Sequence, residues 1–350
     1  MSTLAQSVVS RQAILASNQG LIVWRHPLPQ PPAVQGQPSF VASDPSEGPE
    51  PLVVVWRDGS VSALCGHVDL GTGLRTALTQ IVAEELDVPM TAVHLIMGST
   101  QAAPNQGATI ASASIQIHAE PLRRAAAQAR SLLAQQLATR WACLASDLQL
   151  SDGVFSHGTR QAEVGAAVPE GGLKVELDLA APVKPAHLYR LVGLSVPRVD
   201  IPAKANGEPA FVHDIRWPGV LHGRVIRPPY AGADHGDFIG HTLEGVDQSS
   251  IGHIPDVRAV VVQGDFVGVV AEREEHAELA MLQLQVRWKP WPRMPDVSDL
   301  EQALRANPST PRELIDEGDV EAALQNAQPA MERTYVWPYQ MHASLGPSCA

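Results

Sequence analysis

Apolar and polar positions divide this chain into strand-like and helix-like stretches. Residues 52–64 (Leu-Val-Val-Val-Trp-Arg-Asp-Gly-Ser-Val-Ser-Ala-Leu) hold two β-prone runs flanking Asp58-Gly59, a pattern that predicts a hairpin. The second run leads into Gly66-His67-Val68-Asp69-Leu70-Gly71-Thr72-Gly73. Beyond it, Leu74, Leu78, Ile81, Val82 and Leu86 recur at the period of one helix face, and Asp87-Val88-Pro89 ends that helix. His94–Met97 predicts a third strand, left through Gly98-Ser99-Thr100. After a loop over 101–116, Leu122, Ala125, Ala126, Ala129, Leu132, Leu133 and Leu137 share the apolar face of a second helix.

Other stretches have weaker patterns. Eight prolines between Pro27 and Pro51 predict an irregular leader. Asp147–Gly153 reads as a short strand and turn, and 155–190 as short strands and a linker. A second unit is expected from Val192–Asp200 onward. Its strand-like runs are Phe211-Val212, Val220–Ile226, Val257–Val262, Phe266–Ala271 and Gln285–Trp288, with helical spacing over Glu274–Leu284. Residues 290–330 read as a surface connection with one helical piece, Val297–Leu304. From Met331 the chain turns aromatic and apolar. It stops at Cys349-Ala350 without a polar tail, which predicts a longer protein. Strands with interleaved helices indicate an α+β fold in two or more domains.

Composition narrows the function classes. The 350 residues carry 25 Lys and Arg against 37 Asp and Glu, a net charge of −12. That excludes a general surface for nucleic acid or anionic lipid. No apolar run is long enough to span a bilayer, so a soluble protein is expected. The first 25 residues lack the basic start and apolar core of a secretory signal. The three cysteines, Cys65, Cys143 and Cys349, form no C-x-x-C pair. No iron–sulfur cluster or structural zinc is therefore expected in this chain, and a reducing compartment fits. Cys65 reads as a small buried strand residue.

The candidate chemistry lies in two loops. A glycine-rich turn entering a helix offers backbone N–H groups and a positive dipole end, suited to a phosphate-bearing cofactor. The same pattern also fits a tight turn that binds nothing. Gly107-Ala108-Thr109-Ile110-Ala111-Ser112-Ala113-Ser114 is a second small, hydroxyl-rich loop before a helix. It brings donors near a ligand, or simply packs small side chains. Among nearby polar residues, His67 reads as a cofactor contact or a polar strand-end residue, and Arg75 as a phosphate contact or a surface ion pair.

Taken together, these motifs resemble the large subunit of the xanthine dehydrogenase family. Gly66–Gly73 with Thr76 and Gln80 resembles its pterin-contacting glycine loop, and Ala111–Ser114 its second such loop. Arg198-Val199-Asp200, Lys204, Gly207, His213-Asp214, Pro218-Gly219, Leu221-His222 and Arg227-Pro228 resemble its α/β hammerhead domain. The glycine loop precedes the hammerhead here, an order similar to the isoquinoline 1-oxidoreductase and nicotinate dehydrogenase branch. The resemblance implies an α+β chain laid out as follows: a leader over 1–50, a permuted molybdopterin-binding segment over 51–155, a linker over 156–190, the hammerhead over 191–290, a connection over 291–330, and over 331–350 the start of a further molybdopterin-binding domain.

The resemblance implies a molybdenum cofactor in its molybdopterin cytosine dinucleotide form, held by Gly71, Thr72, Gly73, Thr76, Ala111, Ser112, Ala113 and Ser114. His342 falls on the substrate side. The implied reaction hydroxylates a nitrogen heteroaromatic ring, such as nicotinate or isoquinoline, with oxygen from water. Electrons then leave through a small [2Fe-2S] subunit and a cytochrome c acceptor, in the cytoplasm or at the inner membrane through those partners. The family's glutamate base is expected beyond residue 350. Thr72 stands where the family has glutamine, Asp69 where it has glutamate, and Gly346 where purine oxidisers have a substrate-binding glutamate. A non-catalytic scaffold subunit without cofactor is the alternative that Thr72 keeps open.

Overall fold

A computed structural model describes residues 10–27, 48–208, 211–228, 240–290, 296–328 and 331–340. The chain divides into two units, Met1–Pro209 and Ala210–Ala350.

Unit 1 is built on a five-stranded sheet. Helix α1 (Arg11–Ala16), capped by the Ser10 hydroxyl, precedes strand β1 (Gly20–Arg25). The hairpin of β2 (Glu50–Trp56) and β3 (Val61–Cys65) follows. Helix α2 (Leu74–Leu86) leads to β4 (Val93–Met97), and a π-helical turn over Ser114–His118 opens the long helix α3 (Ala119–Trp141). Strands β5 (Gln149–Ser151), β6 (Val154–His157) and β7 (Arg160–Glu163) form a small antiparallel sheet. Strand β8 (Leu173–Glu176) and helix α4 (Ile201–Ala205) complete the unit.

The main sheet runs β4-β3-β2-β1-β8. The β3–β4 and β1–β8 pairs are parallel, and the two between them antiparallel. Alternation along the strands explains the burial of both faces. Leu21, Val23, Val53, Val55, Ala63 and Cys65 join α2 and α3 in one core. Ile22, Val54 and Leu64 point the other way, against Ile14 of α1 and Ala102. Wholly buried alternate residues on both faces stabilise each strand by about 1.5–3 kcal/mol per large side chain.

The structure corrects two expectations here. Gly20–Arg25, placed in an irregular leader over 1–50, is a buried central strand in register with β2. The proline-rich residues 28–47 and residues 1–9 lie outside the described residues. Leu173–Glu176, placed in a linker over 156–190, is a sheet strand whose Leu173 and Val175 pair with Leu21 and Val23.

Unit 2 holds β9 (His222–Ile226), β10 (Leu243–Asp247), β11 (Val257–Gln263), β12 (Phe266–Ala271), helix α5 (Glu274–Gln283) and β13 (Gln285–Trp288). Its sheets are β11-β12-β9 and β10-β13, with Ile251, Ile254, Val267, Val269, Ala280 and Leu284 in its core. The Asp265 carboxylate accepts from the backbone N–H groups of Gly240, Thr242 and Leu243. Phe211-Val212 is not a strand; it opens a single 3-10 turn. Helices α6 (Leu300–Ala306) and α7 (Val320–Asn326) follow. The run Val192–Asp200, expected to open the second unit, belongs to unit 1 and contains no strand. Among the described residues no helix is long and apolar enough to cross a membrane.

Candidate functional site

Strands β3 and β4 are parallel neighbours, so their carboxyl ends lie on one edge of the sheet. The glycine loop (66–73) leaves β3 and the second loop (98–113) leaves β4, both from that edge. Ligand sites of α/β sheets form at such edges.

The glycine loop is fastened at both ends. A Cβ on Gly66 would lie 2.1 Å from the Pro104 carbonyl oxygen, so only glycine fits there. The Gly66 N–H donates to Gln106 Oε1 at 2.7 Å, and the Cys65 thiol to the same oxygen at 3.3 Å. Asp69 folds back over the turn. Its Oδ1 accepts from the N–H groups of Gly71 (2.9 Å) and Gly73 (3.2 Å), and its Oδ2 from Arg75 N–H (2.9 Å). The N-terminus of α2, expected to offer free N–H groups to an anion, is thus occupied by the chain's own carboxylate. Burial raises the Asp69 pKa, but these three N–H bonds outweigh it and hold the group below the usual carboxylate value. Thr72 is exposed, and Gly71, with φ +94°, has open space where a side chain would stand.

The second loop is laced to the first by His67, which is wholly buried. Its Nδ1 lies 2.7 Å from Ser114 Oγ and its Nε2 lies 3.2 Å from the Gln106 carbonyl oxygen. Val68 N–H donates to Thr109 Oγ1 at 3.0 Å. Ala111 and Ser112 both adopt left-handed backbone, φ +54° and +55°, and both are exposed. For residues with a Cβ, that conformation costs about 1–2 kcal/mol each. The two stand in succession next to the laced end of the loop.

Segment 189–200 lies along α2. Thr76, expected to face a cofactor, is buried, and its hydroxyl oxygen accepts from Val199 N–H at 3.0 Å. Arg198 donates to the Gly71 carbonyl at 2.9 Å and forms a two-pronged pair with Asp200, which also meets Lys204. Gln80 Nε2 donates to the carbonyls of Leu191 and Leu194. Glu84 accepts from the N–H groups of Arg190, Leu191 and Val192 and from Lys184 Nζ. Burial pushes its carboxyl up, yet the lysine and the three N–H bonds bring it down to about 2. Several residues likened to the hammerhead thus brace the glycine loop within unit 1.

The remaining candidates fall out differently. Burial raises the Cys65 thiol, so it is a packed strand residue. Arg75 donates to the Leu95 carbonyl, a backbone tie rather than the phosphate contact or surface ion pair expected of it. His342 lies outside the described residues. A cleft of about 230 Å³ between α2 and α3 is lined by Glu84, Glu85, Glu120 and Arg123. Arg123 is committed to Glu85 at 2.7 Å, so the cleft suits no phosphate. Sequence reasoning missed Gln106, Thr109 and Arg198 as loop fasteners, because each works through a contact distant in sequence. For Asp69 the signal was present: Asp followed two residues on by Gly is an Asx-turn pattern.

Residues 32–184 match the profile of the molybdopterin cofactor-binding domain. Residues 32–184 belong to the molybdopterin cofactor-binding domain family. Both loops fall inside the matched region. It is 55% identical over 304 residues to a nicotinate dehydrogenase subunit of Pseudomonas putida, an overlap of 85% of this chain and 25% of that protein. It is 30% identical over 297 residues to the beta subunit of isoquinoline 1-oxidoreductase of Brevundimonas diminuta, covering 73% of this chain and 36% of that protein. The chain therefore spans about a quarter to a third of the length of these relatives. The solved quinoline 2-oxidoreductase of Pseudomonas putida 86 overlaps 33% of this chain and 15% of its own, at 24% identity and a TM-score of 0.30.

Proposed function

We propose that this chain holds the molybdenum cofactor in the large subunit of a molybdenum hydroxylase. The substrate is a nitrogen heteroaromatic ring such as nicotinate or isoquinoline. The observation that carries this reading is the pair of loops at the carboxyl ends of β3 and β4, laced by His67 inside the region matching the cofactor-binding domain.

The residues fit such a group. Open space beside Gly71 lets a planar ligand approach the backbone, and the exposed left-handed Ala111 and Ser112 turn loop backbone outward. Gly71, Thr72 and Gly73 would hold one edge of the pterin, and Ala111, Ser112, Ala113 and Ser114 the other. Thr76, buried behind the loop, supports Val199 instead of touching the ligand. Asp69 fills the start of α2, so phosphates of a cytosine dinucleotide form would lie away from that end. When bound, the group supplies a two-electron redox centre. The chain's own work is to clamp it, fix its orientation and limit water around it. A small [2Fe-2S] subunit, with a cytochrome c beyond it, would take the electrons. We assign residues 210–290 to the hammerhead domain of this architecture.

The test uses the full protein purified with its partner subunits. Molybdenum and pterin should each be present near one per chain, and nicotinate turned over in ¹⁸O-labelled water should carry the label. Active protein free of molybdenum would sink the reading. Inactive protein free of both would favour the scaffold alternative that Thr72 suggests.

A further inference from the structure

His67 makes two contacts with different demands. The Gln106 carbonyl, 3.2 Å from Nε2, has only lone pairs, so Nε2 must carry the hydrogen. If Nδ1 carried it instead, two lone pairs would face each other across that distance. His67 is also neutral in its setting: it is wholly buried, burial pushes its pKa down, and the His118 ring packs edge-on at 4.4 Å. The His118 ring is itself held neutral, near pKa 4, first by burial and then by the Arg25 charge. A neutral imidazole has one N–H, and Gln106 receives it. Nδ1 is therefore bare, and the Ser114 hydroxyl, 2.7 Å away, must donate to it.

From this, resting on the cofactor reading above, we infer that His67 is a positioning residue that fixes the polarity of Ser114. With its one hydrogen spent on His67, Ser114 Oγ offers a ligand only lone pairs. The loop ending in Ser114 then selects an N–H or exocyclic amine donor of a heterocycle such as a pterin, and disfavours a phosphate oxygen at that point. This reverses the plain expectation that a serine in such a loop donates to an anion. Ser114 is half-buried, so one side of its oxygen remains open to a ligand.

Two measurements on the full chain test this. The first is two-bond ¹H–¹⁵N spectroscopy of histidine-labelled protein, expected to show His67 protonated on Nε2 and bare on Nδ1. Protonation on Nδ1 would overturn the inference. The second is extractable pterin per chain in a host that makes the cofactor. His67→Gln keeps a donor for Gln106 but removes the acceptor where Nδ1 stood, so it frees the hydroxyl hydrogen; pterin content should fall roughly tenfold. His67→Asn can turn its amide oxygen to Ser114, keeps that acceptor and should retain more pterin. In a Ser114→Ala background, His67→Gln should have little further effect. An undiminished loss in that background would show His67 acting only through folding and would overturn the inference. Wild-type protein free of pterin overturns the cofactor reading itself, and the spectrum separates that failure from a wrong polarity.

Discussion

Asp69 shows how one side chain changes the meaning of a glycine loop. Three N–H groups that a bare helix start would offer to an anion are taken by its two oxygens. Sequence shows the glycines, the helix behind them and an Asx-turn pattern at Asp69, but not that the same carboxylate reaches on to the Gly73 and Arg75 N–H groups. Asp69→Asn leaves one strong acceptor for those groups and should cost about 1–2 kcal/mol in urea unfolding. Gly66 is constrained differently: the Pro104 carbonyl stands 2.1 Å from any added Cβ. Gly66→Ala should therefore destabilise by roughly 1–3 kcal/mol and loosen both loops, read as a lower urea midpoint. Ala111 tests the strained pair from the other side. Ala111→Gly relieves a left-handed Cβ, so stability should hold or rise by up to about 1 kcal/mol, while pterin retention falls as the loop gains freedom.

At the scale of elements, the hairpin over Asp58-Gly59 and the helix over Leu74–Leu86 were legible, because local turn chemistry and a periodic apolar face decide them. Strand β1 was not, since Gly-Leu-Ile-Val-Trp-Arg is short and followed by prolines; only pairing on both sides makes it central. Segment 191–200 alternates like a strand, yet Gln80 and Glu84 of α2 take the backbone groups a sheet would need. Glu84 is the key to that strap. Its depressed carboxyl adds stability that is complete above the ordinary value of 4.5 and is lost as pH falls toward about 2. Glu84→Gln leaves Lys184 to Asp87 alone and presents an amide to three N–H donors. It should cost roughly 3 kcal/mol and flatten the acid limb of a urea-stability profile below pH 4.5.

For the whole molecule, the sequence placed the two loops in one site through resemblance, while the structure supplies the physical reason. Neighbouring parallel strands deliver both loops to one sheet edge, and a buried histidine ties them together. The pair His67 and His118 also sets a pH response. His118 titrates near 4 in the fold against 6.5 ordinarily, so the unfolded chain binds its proton first. Stability present above pH 6.5 is therefore lost between 6.5 and 4, and His118→Gln should shrink the difference between urea midpoints at pH 7.5 and pH 5. The central claim is that residues 68–73 and 107–114 jointly grip one ligand. Amide hydrogen exchange on the cofactor-loaded protein and on the same protein stripped of cofactor tests it most directly. The account predicts protection of both loops together in the loaded form, with the Asp58–Ser60 turn unchanged. Equal exchange in the two forms at both loops, or protection of one loop alone, would contradict it.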